Sequence, residues 1–248
     1  MAHNLVIDQG NSCAKVSVFH HQTMVGTWRY DSLTESALES VIREFGVEAA
    51  IYCSVVRHGE DVMVALRRMT ARVYELTSML PLPIAVGYKT PSTLGRDRIA
   101  AAAGAAALYP GCKALVIDAG TALTYDVVDA DATFVGGNIA PGLWMRAEAL
   151  HRMTSRLPEV DVEYDAEVET WGTSTEGAIR AGVVNGVVAE CLYYRSLLPA
   201  DAVTVLTGGD SEIIAKHMAR CGAGAGMTVD PDLVSKGLNS ILLYNENR

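Results

Sequence analysis

Two stretches of the chain share one pattern of apolar and polar positions. Leu5 to Phe19 reads LVIDQGNSCAKVSVF, and Leu115 to Asp129 reads LVIDAGTALTYDVVD. Each has a short apolar run, an acid, one further residue, glycine, a small polar residue and then an alternating stretch. That order is the signature of a buried strand, a tight turn at glycine and a second strand. Two copies aligned along their whole length predict a duplicated domain.

The positions between and after the copies repeat the same plan. A third strand-like stretch runs from Thr23 to Tyr30. A helix over Glu35 to Phe45 follows, with Ser32 and Glu35 at capping-box spacing and Gly46 as its stop. The pattern then predicts a strand (Ala49 to Val55), a helix (Gly59 to Glu75), a short strand (Ile84 to Val86) and a helix (Arg96 to Leu108). In the second half the hairpin Ala114 to Val128 leads to a strand at Thr133 to Ile139. Helices at Leu143 to Arg156 and Thr175 to Leu198 follow. A strand at Ala202 to Leu206, a helix at Ser211 to Arg220, a strand at Met227 to Val229 and a helix at Pro231 to Tyr244 complete it. Three strands and then alternating helix and strand, twice, read as α/β with mixed sheets covered by helices. The turn Tyr109-Pro110-Gly111 marks the join, giving domains of 1–111 and 112–248. The alanine-rich run Ala100 to Ala107 reads as a closely packed helix.

Composition narrows the classes. The 248 residues carry a net charge of −9, with 50% hydrophobic and 20% charged positions, as a compact water-soluble protein would. The balance argues against nucleic-acid partners, which need a basic face. No apolar run approaches the ~20 residues of a membrane span, and Met1 to Asp8 lack a signal peptide's basic start and long apolar stretch. The five cysteines are scattered without a Cys-x-x-Cys pair, which fits reduced thiols in the cytoplasm. The six histidines have no spacing suited to zinc.

Several segments can carry chemistry. Asp8 and Asp118 each end a buried strand beside a glycine turn. There a carboxylate can hold Mg²⁺ while backbone N–H groups meet phosphate oxygens. One such turn alone reads better as a polar hairpin, but two in a duplicated chain favour nucleotide binding. Gly208-Gly209, between a strand and a helix capped by Asp210 or Ser211, fits either a ligand or a plain turn. So do Gly136 to Gly142 (GGNIAPG) and Gly172 to Thr175 (GTST), each ahead of a helix. In GYKTPSTLGRDR, from Gly87 to Arg98, Asp97 stands between two arginines and is expected to stay ionised. It can accept a hydroxyl proton during phosphoryl transfer, or simply complement the helix dipole.

Taken in order, DQGNSCAK, PSTLGRDR, LVIDAGTALTYD, GGNIAPG, GTSTEGAIRAG and VLTGGD resemble the type III pantothenate kinases, from about residue 5 to about 240. These belong to the acetate and sugar kinase, Hsc70 and actin superfamily. The resemblance implies duplicated ribonuclease H-like (actin-like ATPase) domains with ATP in a cleft between them. It also implies phosphorylation of pantothenate at its primary hydroxyl, the first step towards coenzyme A.

Carried over by motif, Asp8, Gln9, Gly10, Asn11, Ser12, Cys13, Ala14 and Lys15 form the first phosphate segment, and Thr121 contacts ATP. Asp97 is the proton acceptor, and Tyr88, Gly95, Arg96, Asp97, Arg98 and Thr175 bind pantothenate. Asp118 serves a monovalent cation, K⁺ or NH₄⁺, alongside Mg²⁺ for the phosphates. A homodimer is also implied. Ser12 replaces the usual threonine, Ser174 a frequent asparagine, and Gln9 and Arg96 are bulkier or more polar than common. The alternatives are a kinase of the same superfamily with another hydroxylated substrate, and a non-catalytic nucleotide-binding regulator.

Overall fold

The computed structural model describes residues 3–10, 13–54, 60–162, 168–222 and 226–248. By contacts the chain falls into two compact units. The first comprises Met1–Gly111, Val128–Val135 and Asp232–Arg248; the second comprises Cys112–Val127 and Gly136–Pro231.

The first unit contains β1 (His3–Gln9), β2 (Ala14–His20), β3 (Thr23–Tyr30), α1 (Glu35–Phe45), β4 (Val47–Ser54), α2 (Glu60–Met69) and β5 (Arg72–Glu75). The short β6 (Ala85–Val86), a 3₁₀ turn at Pro91–Thr93 and α3 (Arg96–Leu108) follow. The sheet order is β3-β2-β1-β4-β5. β1 runs antiparallel to β2 and parallel to β4. Alternation along β1 sends Leu5 and Ile7 into an apolar core with Leu38, Val41, Ile42 and Leu66. Asn4, Val6 and Asp8 therefore share the opposite face.

That opposite face is covered by α3 and by the last helix, α7 (Leu233–Glu246). Two glycines let these helices touch. A side chain on Gly104 would lie 2.5 Å from the Leu233 carbonyl oxygen, and one on Gly237 would run into the Ala100 carbonyl. The alanine-rich run, Ala100 to Ala105, is buried at this crossing. Polar side chains join α7 to the sheet: Asn4 Nδ2 donates to Asn239 Oδ1 (3.2 Å), and Ser17 and Ser235 hydroxyls meet at 3.3 Å. The linear division at 111/112 assigns this helix to the second half, whereas its contacts lie in the first unit.

Two further expectations change. Thr34, not Ser32, caps α1, accepting from the Ala37 N–H at 3.3 Å; the predicted cap was two residues too early. Gly46 ends that helix in the left-handed region (φ 61°) as expected. The helix predicted to reach Glu75 stops at Met69, and Arg72–Glu75 is a parallel strand against β4. The β-branched Val73 and aromatic Tyr74 favour an extended chain there. The predicted ends at Val55 and Gly59 lie outside the described residues.

The second unit is built from β7 (Ala114–Ala119), β8 (Ala122–Val128), β9 (Thr133–Pro141), α4 (Leu143–Arg152), α5 (Thr175–Ser196), β10 (Val203–Thr207), α6 (Ser211–Arg220) and β11 (Met227–Val229). Some strand ends are counted with the first unit. The order is β11-β10-β7-β8-β9, with β6 added beside the start of β9. Read from the hairpin outward, this is the order of the first sheet, so the sequence repeat is a repeat of topology. Its core gathers Leu115, Ile117, Leu123 and Tyr125 of the hairpin with Val183, Val184, Val187 and Ile214 of the helices.

Candidate active site

In the first unit, β1 ends by carrying Asp8 to the edge of the core. Its cross-strand neighbours are Lys15 on β2 and Cys53 on β4. Burial and, after it, the Asp97 carboxylate push the Asp8 carboxyl up to about 6 against the opposing pull of Lys15. Its own complete burial, and then the same two acids, push the Cys53 thiol well above its ordinary range. Two carboxylates thus share one partly dry corner, where a cation would be welcome. The Lys15 ammonium is held 2.5 Å from Asp232, beside the start of α7. Gln9 is fixed on the other face by the Tyr52 hydroxyl, which donates to its Oε1 at 2.5 Å. The turn closes with the Gly10 N–H donating to the Cys13 carbonyl (3.0 Å). Ala14 opens β2; Asn11 and Ser12, also assigned to the phosphate segment, lie outside the described residues.

Asp97 stands in the first turn of α3. Its Oδ1 accepts from the Arg98 N–H at 2.8 Å and occupies one of the donors left over at the helix start. Gly95 makes room for this: a Cβ there would lie 2.5 Å from Asp97 Oδ1. Arg98 is buried at 5% exposure, its guanidinium 5.7 Å from the Tyr88 ring centroid and 5.6 Å from that of Phe134. Such stacking is worth on the order of 0.5–2 kcal/mol and turns the planar fork in one direction. Arg96 reaches outward, 3.7 Å from Glu75. The first unit therefore gathers Asp8, Gln9, Lys15, Tyr88, Gly95, Arg96, Asp97 and Arg98.

The second unit holds Asp118, Thr121 and Thr175. Asp118 pairs in register with Thr207, and the residue that follows the Gly-Gly step, Asp210, donates its N–H to the Ala119 carbonyl at 2.9 Å. Gly208 adopts φ 88°, and a Cβ there would lie 2.5 Å from Asp118 Oδ1 and strike the Ala119 carbonyl. The Ser211 hydroxyl donates to the Gly208 carbonyl at 2.7 Å, while Asp210 stands at the cap position without a side-chain cap bond. Gly142 closes from the other side, its N–H donating to the Thr121 carbonyl at 3.1 Å. Two glycine-bearing loops thus converge on one turn. Thr175 opens α5 after the cap Ser174, which accepts from the Gly177 N–H at 3.0 Å. It borders an apolar groove of about 910 Å³ between α4 and α5.

Phe134, Cys53, Tyr52 and Asp232 were missing from the sequence-based set. Phe134 sits in an ordinary strand, and Asp232 is far along the chain from Lys15, so local pattern marks neither. Among the described residues, no group of three or more His, Cys, Asp or Glu side chains is arranged for a metal ion. Mg²⁺ needs no such cage, since it commonly binds through one or two carboxylates, waters and phosphates.

Comparison with known proteins bears on the family and the fold. The sequence model of the type III pantothenate kinases matches residues 4–194. A type III pantothenate kinase of Bacteroides fragilis is 40% identical over 248 residues, covering 99% of both chains. Among solved structures, a Baf-family protein of Campylobacter jejuni superposes with a TM-score of 0.64 at 22% identity, over 98% of this chain and 100% of that one. The activator of 2-hydroxyisocaproyl-CoA dehydratase from Clostridium difficile, solved with bound ADPNP, gives 0.54 at 13% identity, over 98% and 93%. The structural matches bear out the duplicated ribonuclease H-like fold that the motifs implied. With the duplicated sheets and the motifs in order, the chain belongs to the type III pantothenate kinase family.

Proposed function

We propose that Asp8 and Asp97 form the chemical centre of the family's reaction in this chain, the ATP-dependent phosphorylation of pantothenate. The product is 4′-phosphopantothenate, and the step opens coenzyme A biosynthesis. The observation that carries the assignment is the influence of Asp97 on the buried Asp8 carboxyl within the first unit. One acid whose ionisation is costly until a cation arrives, beside another at a helix start, suits a site for phosphates and a hydroxyl.

Asp97 orients the primary hydroxyl and takes its proton as the oxygen bonds to the γ-phosphorus and the bond to ADP breaks. The buried Arg98, turned by Tyr88 and Phe134, and the Gly95–Arg96 step shape the pantothenate site, with Thr175 a further contact. The turn from Asp8 to Lys15 receives phosphate oxygens on its N–H groups, and Thr121 contacts the nucleotide. Mg²⁺, when bound, neutralises the phosphates, and Asp8 is the carboxylate suited to hold it. Asp118, braced by Gly208, serves K⁺ or NH₄⁺.

The enzyme works as a cytoplasmic homodimer. The exposed apolar residues Met145, Leu150 and Met153 along the α4–α5 groove support association there. No described helix is long and apolar enough to cross a membrane.

The test is an ADP-release assay on the purified protein with MgATP, with and without K⁺, against pantothenate and a panel of hydroxylated acids and sugars. Turnover with pantothenate that needs the monovalent cation is expected. Preference for another acceptor would transfer the assignment to a sister kinase activity. No turnover with any acceptor would favour a nucleotide-binding regulator.

A further inference from the structure

We infer that Arg146 and Glu190 are positioning residues for the Gly120–Thr121 turn, acting through the peptide group between Pro141 and Gly142. The inference rests on the reading of Thr121 as a nucleotide contact. Its geometry is independent of that reading.

The Pro141–Gly142 peptide is held at both ends. Its carbonyl oxygen accepts from Arg146 Nε at 2.7 Å, and its N–H donates to the Thr121 carbonyl at 3.1 Å. The group is planar, so fixing one end fixes the direction of the other. Arg146 also grips the next carbonyl, since its own backbone N–H donates to Gly142 O at 3.0 Å in the first turn of α4. Contact with the turn is tight: a Cβ on Gly142 would lie 2.5 Å from the Thr121 oxygen and closer still to that of Gly120. Any tilt of the peptide is passed directly to Thr121.

Arg146 is itself held in place. Its two terminal nitrogens donate to the two Glu190 oxygens at 2.8 and 2.7 Å, a forked pair that sets the plane of the guanidinium. The Tyr125 hydroxyl donates to Glu190 Oε2 at 3.1 Å, and the Cys191 thiol donates to Tyr125 at 3.9 Å. Tyr125 belongs to β8, the strand that leaves the turn, and is 1% exposed. The Arg146 bonds pull Glu190 below the usual carboxylate range, so it is ionised at neutral pH. A closed circuit therefore runs from the turn, through the GGNIAPG loop and α4, to α5 and back along β8. A surface ion pair held only for stability would not need the Nε bond to a loop carbonyl.

The test is steady-state kinetics of Arg146→Lys, Glu190→Gln, Tyr125→Phe and Thr121→Ala proteins, with a melting curve for each. Lysine keeps the charge of Arg146 but loses the fork and the Nε donor. It is expected to raise the KM for ATP by about tenfold, with kcat and the KM for pantothenate within about twofold. Glu190→Gln should act in the same direction and more weakly. Combined with Thr121→Ala, Arg146→Lys should add less than its effect alone, because both work through one contact. An unchanged KM for ATP in Arg146→Lys beside an impaired Thr121→Ala overturns the positioning role. Parallel rises in both KM values also overturn it, showing a general structural role. An unaffected Thr121→Ala would instead remove the nucleotide role of the turn. Should Arg146→Lys fail to fold, Tyr125→Phe decides: an ATP-specific rise of about twofold is expected for one lost hydrogen bond in this network, and none overturns the inference.

Discussion

The two LVID-x-G turns are alike in sequence and in strand order, yet they are braced by different means. The first is braced by charge. Asp8 is opposed by Lys15, raised by Asp97 and backed by the buried thiol of Cys53. The second is braced by backbone: Gly208 and Gly142 press on the Ala119, Gly120 and Thr121 carbonyls, and Asp210 donates to Ala119. A duplicated motif thus reproduces a chain path, and elements from elsewhere decide its chemistry. Around Asp8 those elements bring ionisable groups, suited to a reacting phosphate. Around Asp118 they bring dipoles and close contacts, suited to a ligand that only has to be held.

The largest effect should separate the two at once. Asp97→Asn is expected to lower kcat by about 10²-fold or more, with both KM values near their original levels, as for loss of a general base. Asp118→Asn should leave far more activity, on the order of a tenth, and should blunt the response to K⁺ instead. Equal losses in the two variants, each independent of K⁺, would end the division of labour between the turns.

A stability experiment probes the backbone brace. Gly208→Ala forces an L-residue to φ 88° and drives its Cβ towards Asp118 Oδ1 and the Ala119 carbonyl. It should cost roughly 2–4 kcal/mol of unfolding free energy. Gly209→Ala meets open space and should cost less than about 1 kcal/mol. Denaturant titration of the two proteins measures the difference, and similar midpoints would show that the second turn tolerates movement.

How much of this could be read from the chain follows from the range of each interaction. The hairpins, the limits of α3 and α6, and the stop at Gly46 rest on local periodicity and turn chemistry, and all were legible. So was the duplication of the two halves, because a repeat is visible without knowing what it contacts. The return of α7 to the first unit was not. Its apolar stripe fits either sheet, and what selects one is the meeting of Gly104 and Gly237, 133 positions apart. At the site, Asp97 and Arg98 are neighbours in a motif and could be named. Phe134 and Asp232 act only by spatial approach from distant strands and helices, and the Arg146–Glu190 pair spans 44 positions with no motif around either residue.

The smallest effect is the one that tests the charge brace by itself. The Asp8 carboxyl is raised from 3.8 to about 6 in the folded protein. Between those values the folded chain keeps a proton that the unfolded chain has released, so stability falls as pH rises through the window. Above about pH 6 the full cost of an ionised, partly buried carboxylate is present; below about pH 4 it is gone. A shift of this size would amount to some 3 kcal/mol at 1.36 kcal/mol per pKa unit, and partial exposure reduces it to about 1–2 kcal/mol. Asp8→Asn should therefore be more stable than the parent at pH 7.5 without ligands, even though its turnover collapses. The gain should shrink as the pH is lowered towards 4. MgATP should narrow it at neutral pH as well, because the ligand offsets the cost in the parent alone. Melting curves of both proteins at pH 4, 5, 6 and 7.5, with and without MgATP, give the comparison directly. A variant less stable than the parent at every pH would mean that Asp8 is satisfied by protein groups and does not await a cation.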